Sequence, residues 1–376
     1  MRGRQWKVAI CVLVAVTAAV GWVYLPLLPL AVIVPVLWAR ADTKWAAIGC
    51  MGAYFAVATA TIVPGLVRFF DTNLLAAVGL WALIVGVQLL PWGLVWPEDR
   101  RWRQAAMVGA LVVSSVPPLA AVAVANPLLV SGLYLPGAGL IGVFAVLAAI
   151  VAMAQSPKLV VIPIMVSLYL VVTGMPVMAK DKHIRSVDTT VAHTVSKTGV
   201  LEHLAGQFAL VARAGSAITL YPESALGNVN QETVTLWQEQ LPPGARALVG
   251  GSVSRPRGGK SNVLLEISGS GAREVYVQRF PPPLAMWRPW DREGYAAPWG
   301  SPATVDIDGR KYAVLICYEQ LLTWPMMEAG IEEIDGIIAI GNLAYARGTF
   351  VPVIQKNAVY LWSRLYGVPV AMAFNE

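Results

Sequence analysis

The stretch Tyr312-Ala-Val-Leu-Ile-Cys-Tyr-Glu-Gln320 decides how the second half of the chain folds. Ala313, Val314, Leu315 and Ile316 run up to Cys317, and the run stops at the polar turn Tyr318-Glu319-Gln320. A short apolar run bounded by turn residues predicts a buried strand. Just upstream, Thr304-Val-Asp-Ile-Asp-Gly-Arg-Lys-Tyr312 reads as a hairpin turning at Asp308-Gly309, because glycine accepts the positive φ that tight turns need. Cys317 is therefore expected near the end of a buried strand, where a side chain can face a cleft. A free cysteine on such a strand is ordinarily a small packed hydrophobe. The other two cysteines, Cys11 and Cys50, both lie in hydrophobic runs. If the second half is extracytoplasmic, Cys317 is a lone thiol there without a disulfide partner.

Upstream the chain changes character. Hydrophobic residues are 57% of the 376 and charged residues 13%, with a mean hydropathy of +0.61, too apolar for an ordinary soluble protein. The apolar surplus precedes residue 178, whereas charge and turn residues gather after it. This predicts a membrane domain over 1–178 and an extracytoplasmic domain over 179–376. About seven runs qualify as spans: Val8–Val23, Leu25–Trp38, Trp45–Val67, Leu74–Trp96, Ala105–Ala125, Leu135–Ala154 and Leu159–Val177. Only Tyr24 separates the first two, which form either a tight helical hairpin or one crossing and one partial segment. Pro26, Pro29 and Pro35 interrupt the second run, and Pro117-Pro118 is expected to kink the fifth.

Loop charges set the expected orientation. Arg2, Arg4, Lys7, Arg40, Lys44, Arg100, Arg101, Arg103 and Lys158 fall on one side; the other short loops hold only Arg68, beside Asp71. The positive-inside rule then places the N-terminus in the cytoplasm and, with an odd number of spans, everything after Val177 outside it. A cleaved signal peptide competes for the first run, but the apolar sequence continues into the next run with no start of a mature domain. No span carries a clear ionisable residue at its middle, which argues against an ion-coupled transporter. The net charge of +6 and pI near 9.2 owe much to the loops on the basic side, and point to anionic lipid rather than nucleic acid.

Beyond Val177, Lys180–Arg185 reads as a polar linker and Ser186–Val195 as a strand. Leu201, Leu204, Phe208 and Val211 recur at helical spacing, predicting an amphipathic helix over Val200–Ala214 ended by Gly215. Ser216–Tyr221, Ala247–Val253, Asn262–Ile267, Glu274–Arg279, Gly336–Ile340 and Pro369–Phe374 read as strands, and Thr233–Leu241 and Pro352–Tyr366 as helices. The pattern is that of an α/β layered domain with a mixed sheet. His183, His193 and His203 sit at no zinc spacing. There is no Gly-x-Ser-x-Gly elbow and no phosphate-binding loop, so neither a metal nor a cofactor is expected.

Two residues offer chemistry. Glu223 ends one strand, in Pro222-Glu223-Ser224, and Cys317 ends another. A carboxylate held beside a thiol can take its proton and leave a competent nucleophile. Alone, each has a structural explanation, Glu223 as a cap of the turn after Pro222. The order of motifs carries more. Tyr221-Pro-Glu-Ser-Ala225, Tyr276 with the turn Pro281–Pro283, Ile316-Cys-Tyr-Glu319, Gly341-Asn342 and Phe374-Asn375 together resemble the carbon–nitrogen hydrolase (nitrilase) superfamily. Within it the match is to the apolipoprotein N-acyltransferases, which join an N-terminal multi-span domain to an extracytoplasmic nitrilase-like domain. More narrowly, the chain resembles the membrane relatives of that acyltransferase found in conjugative plasmids of the tumour-inducing type. The resemblance covers nearly the whole chain.

It implies an α-helical multi-span membrane domain followed by an α/β nitrilase-like domain, an αββα layered sandwich. It also implies a Glu-Lys-Cys triad: Glu223 as general base, Cys317 as the nucleophile that forms a thioester, the amide of Tyr318 as oxyanion donor, and Glu319 and Asn342 in support. The lysine departs from the pattern, because Gln278 occupies its slot two residues after Tyr276. Arg279 is one residue on, and such a step flips a strand side chain to the other face unless a bulge shifts it. Lys260 and Lys311 lie on the turns of other strands, and Met286 stands near the place of the family's turn glutamate. The family continues past Phe374-Asn375 with a further hairpin and a C-terminal span that this chain, stopping at Glu376, is read as lacking. An exposed sheet edge would then need a partner to cover it.

Two functional readings follow. One is an acyltransferase-like or amidase-like enzyme at the outer face of the bacterial inner membrane, moving an acyl chain from membrane phospholipid through a Cys317 thioester to an amine, for example on a lipoprotein. The other is a catalytically weakened homologue that serves conjugation-machinery proteins as a membrane scaffold or lipid-binding component. Neither predicts direct contact with nucleic acid.

Overall fold

A computed structural model describes residues 2–190, 206, 209–211, 214, 218–256 and 258–376. The chain divides into two units, and neither is continuous in sequence. The first comprises Met1–Met178, Leu321–Ile331 and Gly348–Gly367; the second comprises Ala179–Gln320, Glu332–Arg347 and Val368–Glu376.

The first unit is helical: α1 (Arg2–Val20), α2 (Ile33–Arg40), α3 (Lys44–Thr59), α4 (Val63–Phe69), α5 (Leu74–Leu94), α6 (Arg103–Ser115), α7 (Ser131–Tyr134), α8 (Gly139–Gln155) and α9 (Val161–Thr173). Side-chain caps start α3 and α5. Thr43 accepts from the Ala46 amide at 3.2 Å, and Asn73 accepts from the Ala76 amide at 2.9 Å. Through a 3-10 turn α3 continues into α4, making a 26-residue helical stretch, Lys44–Phe69. This stretch and the 21-residue α5 are long and apolar enough to cross a membrane. A third crossing is reached if Pro127–Tyr134 and Gly139–Gln155, bent by 112° at their break, count as one span. The remaining apolar runs form shorter helices. Leu25–Val32, with Pro26 and Pro29, winds as a 3-10 helix before α2, and the fifth run stops as α6 where Val116 turns extended ahead of Pro117.

Large apolar side chains face outward on this unit: Leu75 is 82% exposed, Leu94 79% and Val172 83%. Two further helices, α11 (Thr323–Ala329) and α12 (Val351–Tyr366), belong to it although they lie among the late strands in sequence. Gly132 on α7 makes this possible, since a Cβ there would stand 2.2 Å from the Leu361 carbonyl oxygen of α12. Asn357 donates to the Trp22 carbonyl at 2.8 Å, and the Tyr360 hydroxyl donates to that of Pro176 at 2.8 Å.

The second unit holds two sheets; the strand pattern alone reads as a mixed sheet, and the resemblance implies an αββα sandwich. The first is β1 (Ile184–Ser186), β2 (Ile218–Leu220), β3 (Arg246–Ser254), β4 (Lys260–Ser268) and β5 (Gly271–Val277), in that order; β1, β2 and β3 are parallel and the rest antiparallel. The second is β6 (Thr304–Ile307), β7 (Arg310–Ile316), β8 (Gly336–Asn342) and β9 (Val370–Asn375); β6–β7 is a hairpin, and β7, β8 and β9 are parallel. The hairpin turns where expected, with Asp308 and Gly309 both at positive φ. One apolar layer lies between the sheets, built from alternate residues such as Leu220, Leu248, Leu264 and Tyr276 on one side and Val314, Ile316 and Ile340 on the other. The far face of the first sheet packs Val249, Val263 and Ile267 with Trp237 of α10 (Gln231–Gln240). Asn230 and Thr233 start that helix with a capping box.

Of the earlier sequence expectations, residues 191–195 of the Ser186–Val195 strand lie outside the described residues, as do His193, His203 and Gly215. So does most of the helix placed over Val200–Ala214, of which 206 and 209–211 are seen as helical.

Candidate functional site

The parallel strands of the second sheet end at one edge of the layered core, and β7 delivers Cys317 there. Cys317 is buried, at the first position of a 3-10 turn Cys317–Leu321, with φ +52°. A non-glycine residue pays for that left-handed backbone, and held strain of this kind gathers where a side chain must be aimed. Glu223 arrives from the first sheet, just after β2, and is also buried. Its approach depends on Gly250 of β3: a Cβ there would lie 2.6 Å from the Glu223 Cα and 2.8 Å from the Pro222 carbonyl oxygen.

Glu223 and Cys317 meet, and the thiol donates a hydrogen bond to the carboxyl group. Both carboxyl oxygens have further donors. Asn262 Nδ2 reaches Oε1 at 2.6 Å, and the Asn342 amide reaches Oε2 at 2.8 Å. Burial pushes the Glu223 carboxyl above its ordinary value. The Asn342 amide, Asn262 and the Cys317 thiol pull it back down, and the negative charge of Glu319 pushes it up again. The phenol of half-buried Tyr345, on the turn after β8, lies close enough to feel the charges of both Cys317 and Glu223.

Gln278 joins the same group. Its Oε1 accepts from Asn262 Nδ2 at 3.0 Å, and its Nε2 donates to the Ile316 carbonyl, directly before Cys317, at 3.0 Å. It shares the face of Tyr276, two residues earlier, which packs in the layer between the sheets. β5 does bulge, with a register shift between Leu264 and Leu265, but the bulge does not bring Arg279 to Glu223. Arg279 is fully buried; its Nε reaches the Tyr276 hydroxyl at 3.3 Å, and its guanidinium lies 5.5 Å from the Phe280 ring. Lys260 bonds through its backbone to Gly294, and the Lys311 ammonium pairs with Glu332 at 3.2 Å.

Glu319 does a different job. Its Oε1 accepts from the amides of Arg279 at 2.7 Å and Phe280 at 3.0 Å, and its Oε2 from that of Ile316 at 2.9 Å. The Tyr276 hydroxyl lies 3.1 and 3.2 Å from the two oxygens. This carboxyl clamps the end of β7 to the segment leaving β5. Burial pushes it up, while the Arg279 guanidinium and the three amides pull it down. Asn342 donates from its backbone, and its side chain accepts from Asn375, whose own oxygen accepts from Thr189. Tyr318 is half-buried, and burial raises its hydroxyl.

The structure thus brings Glu223, Cys317, Gln278 and Asn342 into one cluster and places Glu319 behind it. Asn262, Gly250 and Tyr345 were not anticipated. Asn262 was findable. It stands two residues before Leu264, so strand alternation puts its amide on the face between the sheets, where a polar group needs a reason. Among the described residues no group of His, Cys, Asp and Glu is arranged to hold a metal.

No family model matches the chain. It is 30% identical to the conjugal transfer protein TraB of Agrobacterium fabrum, over 99% of this chain and 93% of that protein. It is 28% identical to the probable conjugal transfer protein TraB of Sinorhizobium fredii, over 96% of each. Two full-length matches, through both the apolar helices and the buried cluster, place this chain in the family of the conjugal transfer protein TraB.

Proposed function

We propose that the chain is a multi-pass protein of the bacterial inner membrane, acting in plasmid conjugal transfer, whose second unit is nitrilase-like and accepts an acyl group on Cys317. The observation that carries this reading is the hydrogen bond from the Cys317 thiol to Glu223, in a buried cluster that also holds Gln278. A thiol gains nothing for packing from a carboxyl partner; a nucleophile gains a base. Glu223 takes the thiol proton as sulfur attacks the carbonyl carbon of a phospholipid ester. The ester C–O bond breaks, and the same proton goes to the departing alcohol oxygen. An amine then attacks the thioester and the C–S bond breaks. The acyl group leaves as an amide, and the amine's proton restores the thiol. Gln278 supplies a neutral donor where the family has a cation. The loss of one oxyanion donor costs on the order of 10²–10³ in rate where it has been measured.

Mass spectrometry of the purified protein tests this. A mass increment matching a fatty acyl group on Cys317, absent in Cys317→Ala and slower to form in Glu223→Gln, is the expected result. Gln278→Lys is expected to speed its formation. No adduct in any background, with conjugal transfer intact in Cys317→Ala, rules out the enzyme. That outcome favours the second reading, a membrane scaffold, for which the amide of Gln278 in the lysine slot speaks. The topology part of the proposal rests on the loop charges. A reporter active only in the periplasm, fused after Glu376, is expected to be active, and an inactive fusion there overturns it.

A further inference from the structure

Asn262 joins two members of the cluster through one nitrogen. It lies on β4, is 3% exposed, and its single nitrogen serves two oxygens: Glu223 Oε1 at 2.6 Å and Gln278 Oε1 at 3.0 Å. Its backbone carbonyl also accepts from the Gln278 amide at 2.8 Å, fixing the strand register at that point. Its Oδ1 is buried with no hydrogen-bond partner. Turning the amide over would give Oδ1 a place but would set it against two other acceptor oxygens, so the arrangement is held by what Nδ2 does.

Two consequences follow for the neighbours. Gln278 must present its oxygen to Asn262, which leaves its nitrogen to face the Ile316 carbonyl and the backbone that leads into Cys317. Glu223 receives a donor on the oxygen that the Asn342 amide does not reach. We propose that Asn262 is a positioning residue: one side-chain nitrogen both holds Glu223 as the base for Cys317 and orients the Gln278 amide toward the nucleophile's strand. The proposal rests on the reading of Glu223 and Cys317 as base and nucleophile. It adds a residue that acts only through them.

The charged and titratable groups around Glu223 are few. Cys317 comes from the end of β7, Glu319 from the turn that follows it, and Tyr345 from the turn after β8; Asn262, Gln278 and the Asn342 amide are neutral. Donors to a carboxylate favour its charged form. Removing the Asn262 donor therefore leaves Glu223 harder to ionise, and the thiol loses its base near neutral pH.

The test follows the rate at which iodoacetamide alkylates Cys317 in the purified full-length protein, as a function of pH. Cys11 and Cys50 are replaced by serine so that one thiol reports. The native sequence is expected to show a rising limb that Glu223→Gln removes. Asn262→Leu keeps the approximate size of the side chain but removes the nitrogen, without adding an ionisable group beside Glu223. It should move that limb to higher pH by about one unit, and so lower the neutral-pH rate roughly tenfold. Should that variant not fold, Asn262→Ser makes the same comparison. Gln278→Leu cuts the link from the other side and should leave the limb in place while lowering its height. A Glu223-dependent limb that neither Asn262 variant moves overturns the inference about Asn262 alone. A Cys317 rate indifferent to Glu223→Gln overturns the reading of the pair itself, and the inference with it.

Discussion

The two units solve the problem of apolar surface in opposite ways. In the helical unit, α5 turns Leu75, Leu83 and Leu94 outward, 82%, 53% and 79% exposed. In the sheet unit the large side chains go inward, with Trp237, Tyr221 and Tyr276 all within two apolar layers. α5 is long and apolar enough to cross a membrane, where outward-facing leucines would meet lipid. The sheet unit seals Glu223, Glu319, Asn262, Gln278 and Arg279 inside, each with specific partners, a costly arrangement that has to be held by geometry. The lesson is that exposure means different things on the two sides of one chain.

The sharpest way to break this comparison is in the sheet unit's outer layer. Trp237→Ala empties a fully buried site between α10 and the first sheet, and about 3–5 kcal/mol of stability should be lost. Urea unfolding followed by near-ultraviolet dichroism measures it. A loss below 1 kcal/mol would mean that the layer is not a core. In the helical unit the decisive change is on the surface. Leu83→Arg, near the middle of α5, should cost about 2.5–3.5 kcal/mol if that face meets lipid, and the protein should leave the carbonate-resistant membrane fraction. Leu284→Arg, at a 40% exposed leucine of the sheet unit, should change stability by no more than about 0.5 kcal/mol. Equal effects of the two arginines would erase the distinction.

The two buried glutamates sharpen it within the sheet unit. Glu319→Gln sets an amide nitrogen against the three backbone donors that now find a carboxylate, and should destabilise by about 1–3 kcal/mol. Glu223→Gln should cost less, because besides the thiol only one backbone amide and one side-chain nitrogen face its carboxyl oxygens, yet it should slow the labelling of Cys317. Reversed effects would exchange the roles of clamp and base. The smallest effect is in the pH dependence. The folded value of Glu223 is raised above the unfolded one, so its contribution is full below the ordinary carboxyl range. That contribution is lost as pH rises through the folded value, where ionisation must occur inside the core. Thermal melts from pH 4 to pH 8 should fall more steeply for the native sequence than for Glu223→Gln. A steeper fall in the variant would reverse the sign of the shift.

Much of this was legible in the sequence because it depends on local pattern. Runs of apolar residues mark helices in the first half, with prolines where they shorten. Asp308-Gly309 fixes its hairpin, and the strand alternation after Tyr276 puts Gln278 and Arg279 on opposite sides. Motif order alone singled out Glu223 and Cys317 as a pair, although 94 positions separate Glu223 from Cys317.

Tertiary structure decided the rest, since it concerns what meets across a distance. Strand alternation by itself did not say how the strands divide into two sheets, β1–β5 and β6–β9; the pairing decided that. The late helices α11 and α12 joined the helical unit, a choice made by Gly132 and Asn357 contacts that no local window contains. Gly250 reads as an ordinary strand glycine until Glu223 is seen pressed against it. The sequence by itself determined which residues alternate inward and which runs are apolar, because backbone geometry imposes those periods on any chain. Only the fold decided that Asn262 would hold Glu223 and Gln278 with a single nitrogen, because Glu223, after β2, meets the β4–β5 hairpin only once β3 has paired between them.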